Sequence, residues 1–212
     1  MAANRSNLRF LLLAALVAIA SAAAGVSLWQ LRHEGPPAMT AALRILPEPR
    51  VIADFDLVDQ DGRPFSLERL RGRWSLLFFG YSYCPDVCPS ALFDLQQVHE
   101  ALLSGDQPEA QHRVVFVSVD PERDTPDRLR EYAAYFHPDF IAVTGSDEQL
   151  APLTLQIGVA YRIEPHEPGS MNYLVDHSAG IMLLDPRARL YGIFPAPHTP
   201  EAMIQDLRGL LQ

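Results

Sequence analysis

Ser75-Leu76-Leu77-Phe78-Phe79-Gly80-Tyr81-Ser82-Tyr83-Cys84-Pro85-Asp86-Val87-Cys88-Pro89 decides how this chain is read. Ser75 to Phe79 is apolar nearly throughout, the pattern of a strand buried on both faces. Pro89 suits the first position of a helix, where a missing N–H is no loss. Ala91, Leu95, Val98 and Leu102 then repeat on one helical face to about Leu103. Between strand and helix lie the only two cysteines of the chain, spaced Cys-x3-Cys. That is one residue longer than the Cys-x2-Cys of ordinary thioredoxin-type redox sites. Two thiols at a strand-to-helix turn are placed for disulfide exchange or for holding a soft metal. Cys88 precedes a proline, which disfavours the helical conformation. It is therefore expected at the N-cap, where the helix dipole lowers a thiol pKa. A one-turn curl through Pro85-Asp86-Val87 brings the two Cα atoms to about 6 Å, within disulfide range. The same curl lets both sulfurs meet on one ion, so geometry alone does not choose.

Working outward, the spacing predicts alternating elements. Val51 to Val58 and Arg63 to Leu67 flank an Asp61-Gly62 turn and read as a hairpin. Arg113 to Val119 is a second buried strand and Phe140 to Val143 a third. Thr125-Pro126 opens a helix to about Phe136, with Thr as N-cap and Pro at the first turn. Ser146 and Gln149 form a capping-box start for a helix ending near Gly158. Tyr173 to Asp176, Ile181 to Leu184 and Leu190 to Phe194 read as strands, the last two joined by a turn at Asp185-Pro186-Arg187-Ala188. Thr199-Pro200 opens the closing helix, with Met203, Ile204, Leu207, Leu210 and Leu211 on its buried side. Strand–helix units followed by an antiparallel hairpin and a helix imply an α/β fold around a mixed sheet flanked by helices.

The N-terminus supplies an address. No charged residue occurs from Phe10 to Leu31, and about 20 apolar residues can span a bilayer as a helix. Arg5 and Arg9 precede this run, which places the N-terminus in the cytoplasm and the domain outside. A cleaved signal peptide ending near Ala22-Ala23-Ala24 is the rival, although such apolar regions are usually shorter. Both readings export the domain. The expected organisation is a tail and transmembrane anchor over residues 1–31, a Pro-rich linker over 32–50 and a domain over 51–212. A single-pass inner-membrane protein with its C-terminal domain in the periplasm follows. Net charge is −9, with no basic block beyond the N-terminus, which argues against nucleic acid as a partner.

Export sharpens the question at the cysteines, because neighbouring thiols oxidise there unless they are reduced or metallated. A structural staple over so short a loop gains only about 2 kcal/mol, against nearly 5 for a 100-residue loop. A structural zinc wants four protein ligands. Two thiolates plus one imidazole suit a soft, low-coordinate ion, with Cu(I) the leading candidate. His99, His112, His137, His166, His177 and His198 are all available, and spacing cannot rank them. His99 shares a helix with packing residues and His137-Pro138 marks a helix end, so both read as structural. Asp176, next to His177, could orient a ligating imidazole, but on the residues alone a hydrogen-bonded histidine at a strand end is the commoner role.

At this point the residues resemble a known family. Phe79 to Pro89 is similar to the signature of the Sco/SenC family of copper-binding cytochrome oxidase assembly proteins. Val117-Ser118-Val119-Asp120-Pro121-Glu122-Arg123-Asp124-Thr125-Pro126 resembles its second motif. Tyr173-Leu174-Val175-Asp176-His177-Ser178 resembles its histidine motif, and Leu183-Leu184-Asp185-Pro186 follows in order. The resemblance implies a thioredoxin-like fold and a copper site, Cu(I) or Cu(II), made by Cys84, Cys88 and His177. It implies delivery of copper to the copper A site of cytochrome c oxidase subunit II. The alternatives are reduction of that site's cysteines by thiol–disulfide exchange, in which case Cys84 and Cys88 would be catalytic, and copper or redox sensing. A periplasmic copper chaperone or a thioredoxin-like reductant is a further expected partner. Asp86 matches an acidic position between the cysteines, where it would help a partner or tune the thiols, and Asp120, Arg123 and Asp124 match the second motif, where they would either take part directly in the chemistry or form an Asp/Arg network pinning a loop. One departure is the turn Arg187-Ala188-Arg189, which lacks a glycine common in relatives. Where ordinary thioredoxins carry a cis-proline, this chain has Asp176-His177-Ser178-Ala179-Gly180, which suits a metal site better than a general disulfide oxidoreductase.

Overall fold

The computed structural model describes residues 15–22, 25, 42–104 and 111–211. The chain divides into two compact units, Met1–Ala38 and Met39–Gln212. Of the first, residues 15–22 are helical and exposed. Among the described residues no helix is long and apolar enough to cross a membrane. The expected anchor from Phe10 to Leu31 falls largely outside those residues.

The second unit contains β1 (Arg44–Val51), β2 (Leu57–Asp59), β3 (Pro64–Phe65), β4 (Trp74–Gly80), β5 (His112–Ser118), β6 (Ile141–Thr144), β7 (Tyr161–Ile163), β8 (Val175–His177), β9 (Ile181–Leu184) and β10 (Arg189–Phe194). Eight of these strands form one sheet in the order β1-β10-β9-β4-β5-β6-β2-β3, while β7 and β8 form a separate two-stranded ladder. β4 runs parallel to β5 and antiparallel to β9, and β5 is parallel to β6. The central position of β4 explains its apolar sequence, since Leu76 to Phe79 are buried on both faces. Four helices cover the sheet: α1 (Val87–Leu103), α2 (Pro126–Phe136), α3 (Asp147–Ile157) and α4 (Pro200–Leu210). α1 packs against α4, α2 and β5.

Several expected boundaries move. The linker read over 32–50 is too long, because Arg44 to Val51 is strand β1, paired with β10 at the sheet edge. Pro47 and Pro49 disguise it: they lack an N–H, the register slips between Ile45 and Arg50, and only an edge strand tolerates that. Asp206 of α4, fully buried, accepts the backbone N–H of Leu43 and ties the start of this strand to the last helix. The first hairpin is shorter than its pattern, β2 beginning only at Leu57. β7 has no alternating pattern in the sequence to announce it. In the β9–β10 turn Ala188 adopts φ 58°, the left-handed conformation that glycine takes most readily. The turn closes nonetheless, because the Asp185 carboxylate accepts from the Arg187 and Arg189 amides and from the Arg189 guanidinium.

Candidate metal centre

The β4–α1 connection carries the cysteines and the end of β8 carries the histidine. β4 ends at Gly80, and a Cβ there would lie 2.6 Å from Cys88 Sγ and 3.1 Å from the Phe116 ring. Glycine thus lets the Cys88 sulfur sit on the sheet. The chain then turns, with the Cys84 amide bonded to the Tyr81 carbonyl at 3.2 Å. α1 begins earlier than expected: Asp86 is the N-cap, and Cys88 lies inside the first turn rather than at the cap. Pro89 is consequently the third helical residue. This costs nothing, since the N–H groups of a first turn have no partner within the helix.

The expected thiol chemistry is reversed. Cys88 is fully buried. Its hydrogen bond to the Cys84 sulfur, followed by burial, pushes its pKa up. Cys84 is half-buried and becomes the thiolate: the Cys88 thiol hydrogen bond, opposed by desolvation and aided by His177 and the backbone amides of Asp86 and Cys88, pulls its pKa down to about 3. The Cys88 amide lies 3.4 Å from Cys84 Sγ. The expectation that the helix N-terminus would activate Cys88 is therefore corrected. The free N–H groups of that terminus point at the sulfur of the preceding loop.

His177 Nε2 lies 3.3 Å from Cys88 Sγ. The ligand atoms of Cys84, Cys88 and His177 all fall within 4.8 Å of one another. Ligand bonds of about 2.0 Å to nitrogen and 2.3 Å to sulfur put the two donors roughly 3.5 Å apart on a shared ion. This trio can therefore close on one cation with little movement. The imidazole packs edge-on to Phe78 and Tyr81, with centroids 6.1 and 6.0 Å away. Its Nδ1 faces the Ser178 carbonyl at 3.2 Å. Asp176 does not orient it, contrary to expectation. Successive side chains of a strand point to opposite faces, and Asp176 instead forms an exposed ion pair with Arg162 at 2.7 Å.

A cleft of about 290 Å³ opens beside the sulfurs, lined in part by Tyr81, Cys84, Asp86, Leu174, Asp176 and His177. Asp86 is exposed and makes no side-chain capping bond. It touches the chemistry through its backbone amide, and the residue lines the cleft. Asp120 is fully buried. Its carboxylate holds Arg123 at 2.5 Å and accepts from the Tyr173 hydroxyl at 2.6 Å. Arg123 also donates to the Tyr173 carbonyl and stacks on the Tyr173 ring, fixing the segment that leads into β8 and His177. Asp124 does the same for the cysteine loop, accepting from the Ser82 amide and from the hydroxyls of Ser82 and Ser118. The second sequence motif is thus a pair of buried carboxylates, each holding one of the two segments that bring the ligands together.

The chain is similar to known proteins in sequence and in fold. The SCO1/SenC family model matches residues 44–212. A SCO2-like protein of Rickettsia conorii is 34% identical over 164 residues, 76% of this chain and 77% of its own. Among solved structures, apo Sco1 of Thermus thermophilus superposes with a TM-score of 0.72 at 34% identity, covering 82% of this chain and 98% of that one. ScoI of Arabidopsis thaliana, solved with copper bound, gives 0.69 at 31% identity over 76% of this chain and 99% of its own. The expected thioredoxin-like fold, a mixed sheet flanked by helices, is confirmed by these likenesses.

Proposed function

This chain belongs to the SCO1/SenC family, and from that membership we propose that it is a copper protein of cytochrome c oxidase assembly, holding one copper ion through Cys84, Cys88 and His177. In this reading it is a metallochaperone that delivers the ion to the copper A site of subunit II. The observation that carries it is the convergence of two sulfurs and one imidazole within 4.8 Å on a cleft open to solvent. Two thiolates and one imidazole suit Cu(I). Three ligands leave the ion open to an incoming thiol, so transfer proceeds by ligand exchange without free copper. Cu(II) is accommodated by adding oxygen or nitrogen donors, since the oxidised ion prefers tetragonal coordination. The N-terminal segment, in the same reading, anchors the domain to the inner membrane with the cleft on the periplasmic side.

A specific observation also supports a second reading. Cys84 is a half-exposed thiolate beside a buried thiol, the arrangement of a nucleophile and its resolving partner. Cys84 would attack a partner disulfide, and Cys88, after losing its proton, would displace the reduced partner. Burial of Cys88 still opposes that second step once the Cys84 thiolate is consumed, and the exchange makes no use of His177, whereas a copper site does. The balance therefore favours copper.

Competition titration of the reduced protein with Cu(I) against a chelator tests this. One tightly held ion is expected, with His177→Ala weakening it at least tenfold, about 1.4 kcal/mol or more. Binding indifferent to His177 would sink the three-ligand site and favour dithiol exchange.

A further inference from the structure

A second group of ligand-type side chains stands apart from the cysteines. His99 on α1, His137 at the C-terminus of α2 and Asp139 in the loop before β6 place their ligand atoms within 4.8 Å of one another. His99 and Cys88 are eleven residues apart on one helix, which separates the clusters by about 16 Å along its axis. His99 Nε2 lies 3.7 Å from Asp139 Oδ2, and His137 Nδ1 lies 3.9 Å from the same oxygen. Both distances are too long for hydrogen bonds. They sit a few tenths of an ångström beyond the roughly 3.4 Å that separates two nitrogen or oxygen ligands on a tetrahedral ion.

The decisive atom is His99 Nε2. The side chain is only 3% exposed, and Nε2 is buried with no hydrogen-bond partner. Buried polar atoms are rarely left so. Its other nitrogen, Nδ1, is engaged at 2.8 Å with His112 Nε2. Either tautomer leaves Nε2 without a hydrogen bond, and the one with the proton on Nδ1, donated to His112, frees its lone pair for a ligand. A ring fixed by a hydrogen bond at one nitrogen and free at the other is the usual state of a metal-ligating histidine. His137 is half-buried, and its Nδ1 now takes the Asp139 amide at 3.1 Å, a bond that an ion would replace. Asp139, 64% exposed, opens the group to solvent.

We propose that His99, His137 and Asp139 form a second metal site for a borderline divalent cation, Zn²⁺ above all, with His112 as the residue that orients His99. Two imidazoles and one carboxylate suit Zn²⁺, and water completes the fourth position. The lack of sulfur disfavours Cu(I), so the two centres sort metals by ligand softness. This inference does not depend on what the cysteine centre binds.

The test uses the full chain carrying Cys84→Ser, Cys88→Ser and His177→Ala, so that the first centre cannot compete. Calorimetric titration with Zn²⁺ should give one equivalent. Co²⁺ should give visible bands of nitrogen and oxygen ligation without sulfur charge transfer. Adding Asp139→Asn or His137→Ala should weaken binding at least tenfold. Asp139→Asn is the deciding variant, because its exposed side chain leaves packing intact where a change at the buried His99 would not. No bound Zn²⁺, or binding that neither substitution changes, overturns the proposal and leaves an aromatic packing cluster.

Discussion

Cys84 and Cys88 are chemically unequal although they are four residues apart in one turn. Cys84 collects the hydrogen bonds and holds the negative charge, while Cys88 keeps its proton under the sheet. A depressed pKa means that Cys84 stays ionised down to the acid range and protonates only as pH falls towards about 3. Alkylation of Cys84 in the metal-free, reduced protein should therefore run at a constant rate from pH 5 to 8. An ordinary thiol would accelerate about tenfold per unit over that range. Cys88→Ala removes the donor that stabilises the thiolate, and the rate should then rise with pH. Proton release gives an independent check. Cu(I) entering at neutral pH displaces the Cys88 proton alone, so calorimetry in buffers of different ionisation enthalpy should count about one proton per copper. Two protons would show that Cys84 is not ionised. At this scale the strand-to-helix turn and both cysteines were legible in sequence, because the signals sit within a few residues. Which thiol ionises was not, because it depends on where α1 starts and on what Gly80 lets approach.

The elements contribute position. Two loops, one after β4 and one before β8, lie outside helix and strand, and buried carboxylates pin them. Asp124→Ala would leave the Ser82 amide and two hydroxyls without their acceptor, at a cost of about 2–3 kcal/mol. Chemical denaturation should show that loss, and Cu(I) affinity should fall in the same variant, although Asp124 is not a ligand. A variant destabilised but unchanged in copper affinity would detach Asp124 from the site. Gly80→Ala acts from the other side. Its Cβ would meet Cys88 Sγ at 2.6 Å, forcing the sulfur or the strand to yield at about 1–3 kcal/mol. Copper binding should weaken at least tenfold while circular dichroism remains that of a folded protein. The motif around Asp120 and Asp124 was legible in sequence as a motif, with an Asp/Arg network and direct chemistry both open. Its division of labour could not, because Tyr173 lies 53 residues from Asp120 and meets it only in the folded chain.

Across the whole molecule the parallel strands set the layout. β4 and β5 run side by side in register from Trp74 and His112 to Gly80 and Ser118. Their C-terminal ends carry the cysteine loop and the second motif, the end at which open α/β sheets place their ligands. Their N-terminal ends carry His112, and with it His99. The proposed membrane anchor belongs to this scale too. Deleting residues 1–38 should release the chain from membranes to the soluble fraction with copper stoichiometry unchanged. A truncated chain that still sediments with membranes after carbonate washing would put the attachment elsewhere.

What neighbours in the chain decide could be read from the residues alone: a buried strand, a turn with two thiols, a helix, and the alternation that makes an α/β domain. Such features rest on hydrogen bonds and apolar periodicity within a few residues. Motif resemblance added His177, which the residues alone left among six histidines. Folding brought that imidazole to Cys88 across 89 residues of chain, paired Asp176 with Arg162 instead, and gathered His99, His137 and Asp139. Those meetings are fixed by strand register and by the burial of one face rather than another, which the spacing of residues along the chain does not encode.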